Sequence, residues 1–74
     1  MLRVALFQAR RNLFDGTASQ IVLPGEAGEI SLLDFHAPLV CVLRAGDLQI
    51  DDVYFSIRGG MARVARNAVT ILAR

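Results

Sequence analysis

Apolar and polar residues alternate along most of this 74-residue chain. Leu2, Val4 and Leu6 share one side of the first extended segment, and residues 47–50 alternate in the same way. A period of two places successive side chains on opposite faces of a strand, so that one face is buried and the other is solvated. The pattern therefore predicts β-strands packed against a second layer. A helix over residues 2–13 is the alternative, but the turn-forming sequence at 14–16 follows it at once.

Turn-forming sequences interrupt the alternation every few residues, at 14–16, 24–29, 36–38, 45–47, 51–52, 58–60 and 65–68. Short strands that are punctuated this closely are typical of an all-β meander, sandwich or barrel. The sequence contains no internal repeat, no low-complexity segment and no linker. We therefore expect a single all-β domain over residues 1–74.

Two hairpins follow from the positions of the turns at 51–52 and 66–67. Each turn brings apolar residues opposite one another, as cross-strand packing requires. The expected pairs are Leu48–Phe55 and Ile50–Val53 in the first hairpin, and Met61–Leu72, Ala62–Ile71 and Val64–Val69 in the second. Gly59 and Gly60, between the two hairpins, predict a sharp corner or a close approach of another backbone.

Size and composition limit what such a domain can do. The chain is near the lower limit for independent folding, and its one cysteine excludes an internal disulfide and indicates a reducing compartment. Apolar residues make up 54% of it, yet no apolar run reaches the roughly 18 residues that cross a bilayer. The excess apolar surface must form a core or a face that a partner covers. A net charge of +1 provides no basic surface for nucleic acid.

The only histidine, His36, and the only cysteine, Cys41, flank Pro38. Because proline cannot donate a ladder hydrogen bond, we expect Pro38 at the start of a strand and His36 in the loop before it. Cys41 alternates with Leu39 and Leu43 and is expected to pack as a small hydrophobe. Catalysis would need a converging nucleophile, and a metal site would need further His or Cys ligands. We therefore expect no catalytic residue, metal or cofactor, and a His36 that hydrogen-bonds the turn or contacts a partner.

The order of the motifs resembles a known family. The segments LFDG, IVLPGEAGEISLLDFHAPLV, LRAGDLQI, FSIRGG and NAVTILA are similar, in order and spacing, to the N-terminal β-sandwich of the epsilon subunit of bacterial F-type ATP synthases. The similarity extends from Leu2 to Ala73 and is most specific at Gly28–Ile30 and His36–Leu39. The resemblance implies a flattened two-sheet β-sandwich of about nine to ten short strands.

The resemblance also implies a function. The domain would belong to the non-catalytic central stalk of a proton- or sodium-driven synthase, peripheral to the cytoplasmic face of the bacterial inner membrane. It would bind the gamma subunit through one side and the loops of the membrane c-ring through one end, so that torque reaches the catalytic head. The ring-facing candidates that carry over are Glu29 and His36, with Glu26 and Asp34 as neighbours. The three carboxylates could pair with Arg or polar groups on the ring loops, and such exposed pairs give alignment more than affinity.

The sequence departs from the family pattern in three places. Family members normally continue into a helical hairpin that carries rotation inhibition and, in some members, ATP sensing, and neither property is carried over to residues 1–74. A short insertion at QARRN and a shorter loop at 51–52 alter the expected contacts with gamma. The alternative, from another class, is a free-standing β-sandwich interaction module or a self-associating homologue. A small enzyme that uses His36 is the third hypothesis.

Overall fold

The computed structural model describes all residues 1–74, and every regular element in it is a β-strand. The strands are β1 Leu2–Gln8, β2 Arg11–Ala18, β3 Ile21–Gly25, β4 Gly28–Leu32, β5 Leu39–Ile50, β6 Val53–Ala65 and β7 Ala68–Ala73. They form one mixed sheet in the order β2-β1-β7-β6-β5-β3-β4, in which only β1 and β7 are parallel neighbours. The helical alternative for residues 2–13 is wrong, because β1 and β2 occupy them. No helix in the chain has the length and apolar character of a membrane span.

The sheet folds over itself at a bend in the long β5–β6 hairpin. Inward-facing residues of β5 change from odd to even numbers between Leu43 and Leu48, and those of β6 change between Ile57 and Ala62. The ladder between the two strands lacks the pair 45–58 at this point. The 12-residue β5 and the 13-residue β6 therefore serve both layers, and the sheet has seven strands, two of them long, instead of the nine to ten short ones expected.

An aromatic contact across the core shows that the two halves of the sheet face each other. The rings of Phe14 on β2 and Phe55 on β6 pack edge to face, with centroids 6.3 Å apart and planes at 77°. In a flat sheet β2 and β6, which have β1 and β7 between them, would be about 14 Å apart. The β-sandwich class expected from the sequence is confirmed.

One hydrophobic cluster of 16 residues fills the space between the layers. All of its members are no more than 6% exposed, and the aliphatic residues of β1 that the alternation selects are among them. The cluster comprises Leu2, Val4, Leu6, Ala18, Ile21, Leu23, Leu32, Leu43, Leu48, Ile50, Ile57, Ala62, Val64, Val69, Ile71 and Ala73. No buried side-chain polar atom lacks a hydrogen-bond partner. The period-two pattern thus identifies the buried face of the strands.

Both predicted hairpins are confirmed with the predicted register. Their turns use left-handed backbone conformations, with φ of 49° at Asp51 and 61° at Asn67, which Asp and Asn tolerate better than most residues. The predicted close approach at the glycine pair is also confirmed. A Cβ on Gly60 would overlap the carbonyl oxygen of Leu72 on the neighbouring strand. The register of this half of the sandwich is therefore encoded locally.

The turn expected at 14–16 is wrong, because these residues lie within β2. Gly16 pairs with Val4 of β1, in a stretch of the ladder that is continuous from Leu2–Ala18 to Leu6–Phe14, and the chain reverses instead at Ala9, whose φ is 54°. A bulge between Leu6 and Phe7 absorbs one additional residue of β2. Pairing along the whole of β1 outweighs the local turn preference of the Phe-Asp-Gly sequence.

Candidate functional site

Glu26 lies in the turn that joins β3 to β4, and Glu29 is the second residue of β4, directly beside that turn. The backbone of this turn is held against β5, because the Glu26 N–H donates a 2.9 Å hydrogen bond to the Val42 carbonyl. Both side chains are exposed, and neither carboxylate accepts a hydrogen bond or forms an ion pair within the domain. An open groove of about 380 Å³ separates the turn from Cys41 and Val42 of β5. The turn therefore presents two free negative charges on a fixed backbone.

Asp34 and His36 lie in the loop 33–38, which joins β4 to β5. The side chain of Asn67, in the turn between β6 and β7, fastens this loop to the sheet. Its Oδ1 accepts a 2.7 Å hydrogen bond from the Phe35 N–H, and its Nδ2 donates to Asp34 Oδ1 at 3.2 Å and to the Met1 carbonyl at 3.0 Å. We call this set of hydrogen bonds the Asn67 latch. It connects residues that are more than 30 positions apart in the sequence.

The Asp34 carboxylate takes part in the latch and also receives the N-terminal amine. The amine nitrogen of Met1 lies 3.0 Å from Asp34 Oδ1. Hydrogen bonding to this amine, and secondarily to Asn67, lowers the pKa of the Asp34 carboxyl below its ordinary value of 3.8. Asp34 is thus ionised and engaged within the domain.

His36 also bonds within its own loop. The backbone N–H of His36 donates a hydrogen bond to the Leu33 carbonyl at 3.2 Å. The ring atom Nδ1 lies 2.7 Å from the Ala37 carbonyl oxygen. Because a carbonyl only accepts, Nδ1 carries the hydrogen in this contact. Pro38 follows, directly before β5, as expected. This is the hydrogen-bonded loop histidine that the sequence suggests.

The four candidate residues therefore form two pairs rather than one cluster. Glu26 and Glu29 lie at the start of β4, and Asp34 and His36 lie after its end. β4 has five residues, so the two groups are about 13 Å apart along the strand. No group of three or more His, Cys, Asp or Glu side chains is placed to hold a metal ion.

Cys41 lies on the inward side of β5, where it packs against the core cluster. Partial burial raises the pKa of its thiol, which favours the neutral form. The thiol therefore behaves as the small apolar residue that the alternation predicts.

A row of exposed apolar side chains crosses the outer face of the sheet. Val42 of β5 lies opposite Met61 of β6, which lies opposite Leu72 of β7. Their exposed fractions are 46%, 50% and 57%. The sequence predicts an apolar docking surface but does not name this row. The signal was present, since the predicted pair of Met61 and Leu72 falls on the face opposite to the buried pairs.

Two arginines border this apolar row. Arg63 lies between Val40 and Thr70 in the adjacent row of side chains, and Arg74 lines the same shallow depression as Met61 and Leu72. Neither guanidinium forms an ion pair within the domain, in contrast to Arg3, which bonds Asp15 at 3.0 Å. The surface therefore has an apolar centre, formed by this row, and a positively charged rim.

Comparison with known proteins agrees with this architecture. The chain is 35% identical to the ATP synthase epsilon chain of Herminiimonas arsenicoxydans over 78 residues, which cover 97% of this chain and 56% of that protein. It is 39% identical to the ATP synthase epsilon chain of Legionella pneumophila (strain Corby) over 74 residues, which cover 92% of this chain and 52% of that protein. The chain thus spans about half the length of the curated relatives it matches.

The solved structures that share the fold include the following two. One is a chain in the cryo-EM structure of the Euglena gracilis mitochondrial ATP synthase, OSCP/F1/c-ring, with a TM-score of 0.90 and 22% identity over 97% of this chain and 49% of that one. The other is a chain in the central stalk/c-ring structure of the Tetrahymena thermophila mitochondrial ATP synthase, with a TM-score of 0.77 and 20% identity over 97% and 62%. The family model for the ATP synthase delta/epsilon chain β-sandwich domain matches residues 1–74. The chain therefore belongs to the β-sandwich domain family of the ATP synthase delta and epsilon chains.

Proposed function

We propose that this domain is the β-sandwich of a non-catalytic central-stalk subunit of an F-type ATP synthase. It connects the gamma subunit to the membrane c-ring and is peripheral to the cytoplasmic face of the bacterial inner membrane. Family membership and the names of the relatives support this role. The domain performs no bond chemistry in this role; it transmits torque between two partners.

The observation that carries the proposal is the apolar row formed by Val42, Met61 and Leu72. Three adjacent half-exposed apolar side chains on one face of a sheet are unfavourable in water and are typical of interaction sites. Covering the exposed half of each would contribute about 1 kcal/mol per side chain. Arg63 and Arg74 at the rim favour a partner surface that surrounds its apolar centre with carboxylates. We assign this face to the gamma subunit.

The ring-facing end belongs to the same proposal, with roles divided by the geometry. Glu26 and Glu29 have free carboxylates and are the candidates for ionic contacts with the c-ring loops. Asp34 Oδ1 and His36 Nδ1 bond within the domain, so we expect these two residues to act mainly by shaping their loop. Ion pairs at an exposed rim contribute alignment and association rate more than affinity.

Binding to purified gamma subunit of the same host tests the proposal. Isothermal titration at micromolar concentrations should show a one-to-one complex with the natural domain. Met61→Glu should weaken it about tenfold or more, because a carboxylate would be buried in an apolar contact. Thr17→Glu is the matched control, since it adds the same charge at an exposed position of the edge strand β2, which β1 and β7 separate from β6.

Two results would contradict the proposal. If the natural domain forms no complex with gamma at micromolar concentration, the stalk role itself is wrong. If Met61→Glu and Thr17→Glu bind alike, gamma uses another face. Thermal unfolding of both variants should match that of the natural domain, because both positions are exposed.

A further inference from the structure

Phe35, in the loop 33–38, combines two unfavourable properties. Its φ is 63°, in the left-handed region that glycine enters freely and that bulky residues avoid. Its side chain is 87% exposed, more than any other large apolar side chain of the domain. A glycine at this position would remove both the backbone strain and the exposed ring. Phenylalanine at this position therefore lowers the stability of the domain and leaves a phenyl ring exposed to water.

The phenyl ring of Phe35 does not pack against the core of the domain. Phe35 lies outside the core cluster, and the only aromatic contact of the domain joins Phe14 to Phe55. The backbone of Phe35, in contrast, is firmly held. Its N–H donates the shortest hydrogen bond of the Asn67 latch, at 2.7 Å. The strained conformation is thus imposed by the surroundings, as is typical of strain stored at functional sites.

Most of the remaining loop surface is also apolar. Leu33 is 57% exposed, and Ala37 and Pro38 are exposed as well. The two polar side chains of the loop each use one atom within the domain, Asp34 Oδ1 toward Asn67 and the N-terminal amine, and His36 Nδ1 toward the Ala37 carbonyl. The loop therefore offers an apolar tip beside a carboxylate that is already paired with the N-terminal amine. A complementary surface would be an uncharged apolar pocket wide enough for a phenyl ring.

We propose that Phe35 is an anchor residue that enters an apolar pocket on the c-ring, the partner proposed for this end of the domain, and this inference rests on the proposed function. Buried aromatic anchors carry most of the affinity in protein interfaces. An anchor that is already fixed in its bound conformation loses little conformational freedom on binding. The Asn67 latch provides this preorganisation, and the left-handed backbone at Phe35 projects the ring. Contact through the loop 33–38 is therefore apolar in character, whereas Glu26 and Glu29 at the other end of β4 remain the candidates for ionic contacts.

The experiment compares Phe35→Gly with Phe35→Leu in binding to the host's purified gamma–c-ring complex, with thermal unfolding measured in parallel. Phe35→Gly relieves the strain and removes the ring, so its melting temperature should rise by roughly 2–6 °C while its Kd increases about tenfold or more. Phe35→Leu keeps the strain and an apolar anchor, so its Kd should stay within about threefold of the natural value. Tyr54→Ala is the control, because it removes another exposed aromatic ring, at the β5–β6 hairpin. Its Kd should equal that of the natural domain.

The outcomes separate the anchor from the proposed function. If the natural domain binds the rotor and Phe35→Gly binds equally well, the anchor role is overturned and the stalk role stands. A melting temperature that falls in Phe35→Gly would show that the ring stabilises the domain, which also overturns the anchor role. Failure of the natural domain to bind the rotor would overturn both.

Discussion

The two loops at the ends of β4 use their polar residues in opposite ways. At the β3–β4 turn the backbone is fixed by a bond to β5, and the carboxylates of Glu26 and Glu29 extend freely into solvent. In the loop 33–38 the side chain of Asp34 bonds across the structure to Asn67 and the N-terminal amine. The first loop presents unpaired negative charge to solvent, whereas the charge of the second is paired within the domain. Acidic residues that look equivalent in the sequence therefore have different physical roles.

This difference predicts where stability and where recognition reside. Side-chain bonds that hold a loop contribute to the free energy of unfolding, whereas exposed unpaired carboxylates contribute almost nothing to it. Unpaired carboxylates instead alter the electrostatic potential that a partner meets. Substitutions in the two loops should therefore separate into stability effects and association effects.

Replacing Asn67 by Ala should have the largest effect. The change removes three side-chain hydrogen bonds and places alanine at a φ of 61°, so we expect a loss of about 2–3 kcal/mol in the free energy of unfolding. Urea unfolding followed by circular dichroism measures it. Glu26→Ala and Glu29→Ala are the matched comparison and should stay within about 0.5 kcal/mol of the natural domain. Equal stabilities for all three variants would refute the distinction between the loops.

Asn67→Gly separates the two causes. Glycine accepts the left-handed conformation but cannot make the latch, so this variant should lose only the hydrogen-bond part, about 1–2 kcal/mol. If Asn67→Gly is as stable as the natural domain, the turn conformation alone explains the role of Asn67. The Asn67 latch would then contribute nothing to stability.

The pH dependence of stability should follow from Asp34. Its folded-state pKa is lowered from 3.8, so its stabilising contribution is fully present above the unfolded-state pKa and is lost as the pH falls through the lower folded value. Asp34→Asn should therefore melt below the natural domain at neutral pH, and the gap should close in acid. Thermal unfolding across this range measures it, with Asp52→Asn as a control that changes the charge equally at an exposed, uncontacted carboxylate. A gap that persists below the folded pKa would contradict this origin.

The predictability of these features from sequence depends on how local their causes are. The hairpin register was predictable because Asp51 and Asn67 favour tight turns and the alternation fixes the pairs on each side. The turn expected at Phe14–Gly16 failed because these residues pair with Leu6, Ala5 and Val4 of β1, and this pairing outweighs the turn preference of the three residues themselves. The strand count failed because the bend at Gly59 and Gly60 turns the strands without ending them.

The candidate site shows the same limit. The apolar row could be located in part, because the pair of Met61 and Leu72 follows from the hairpin register. The Asn67 latch could not, since Asn67 and Asp34 are 33 residues apart and no periodicity connects them. The left-handed conformation of Phe35 was equally hidden, because phenylalanine carries no turn signal. Only the folded arrangement distinguishes the engaged Asp34 from the free Glu26.

The smallest effect is expected from the free carboxylates, and it should appear in association kinetics rather than in stability. Replacing both Glu26 and Glu29 by Gln removes two negative charges without disturbing any hydrogen bond or ion pair of the domain. Exposed charges at the rim of an interface mainly accelerate encounter, and salt screens them over about 8 Å at physiological ionic strength. We therefore expect the double variant to associate about two- to fivefold more slowly with the gamma–c-ring complex at low salt, and equally fast at high salt. Stopped-flow association rates at increasing ionic strength measure this. A rate difference that is independent of salt would show that the two side chains act through packing. The free carboxylates would then have no electrostatic role in association, and this part of the contrast between the two loops would be wrong.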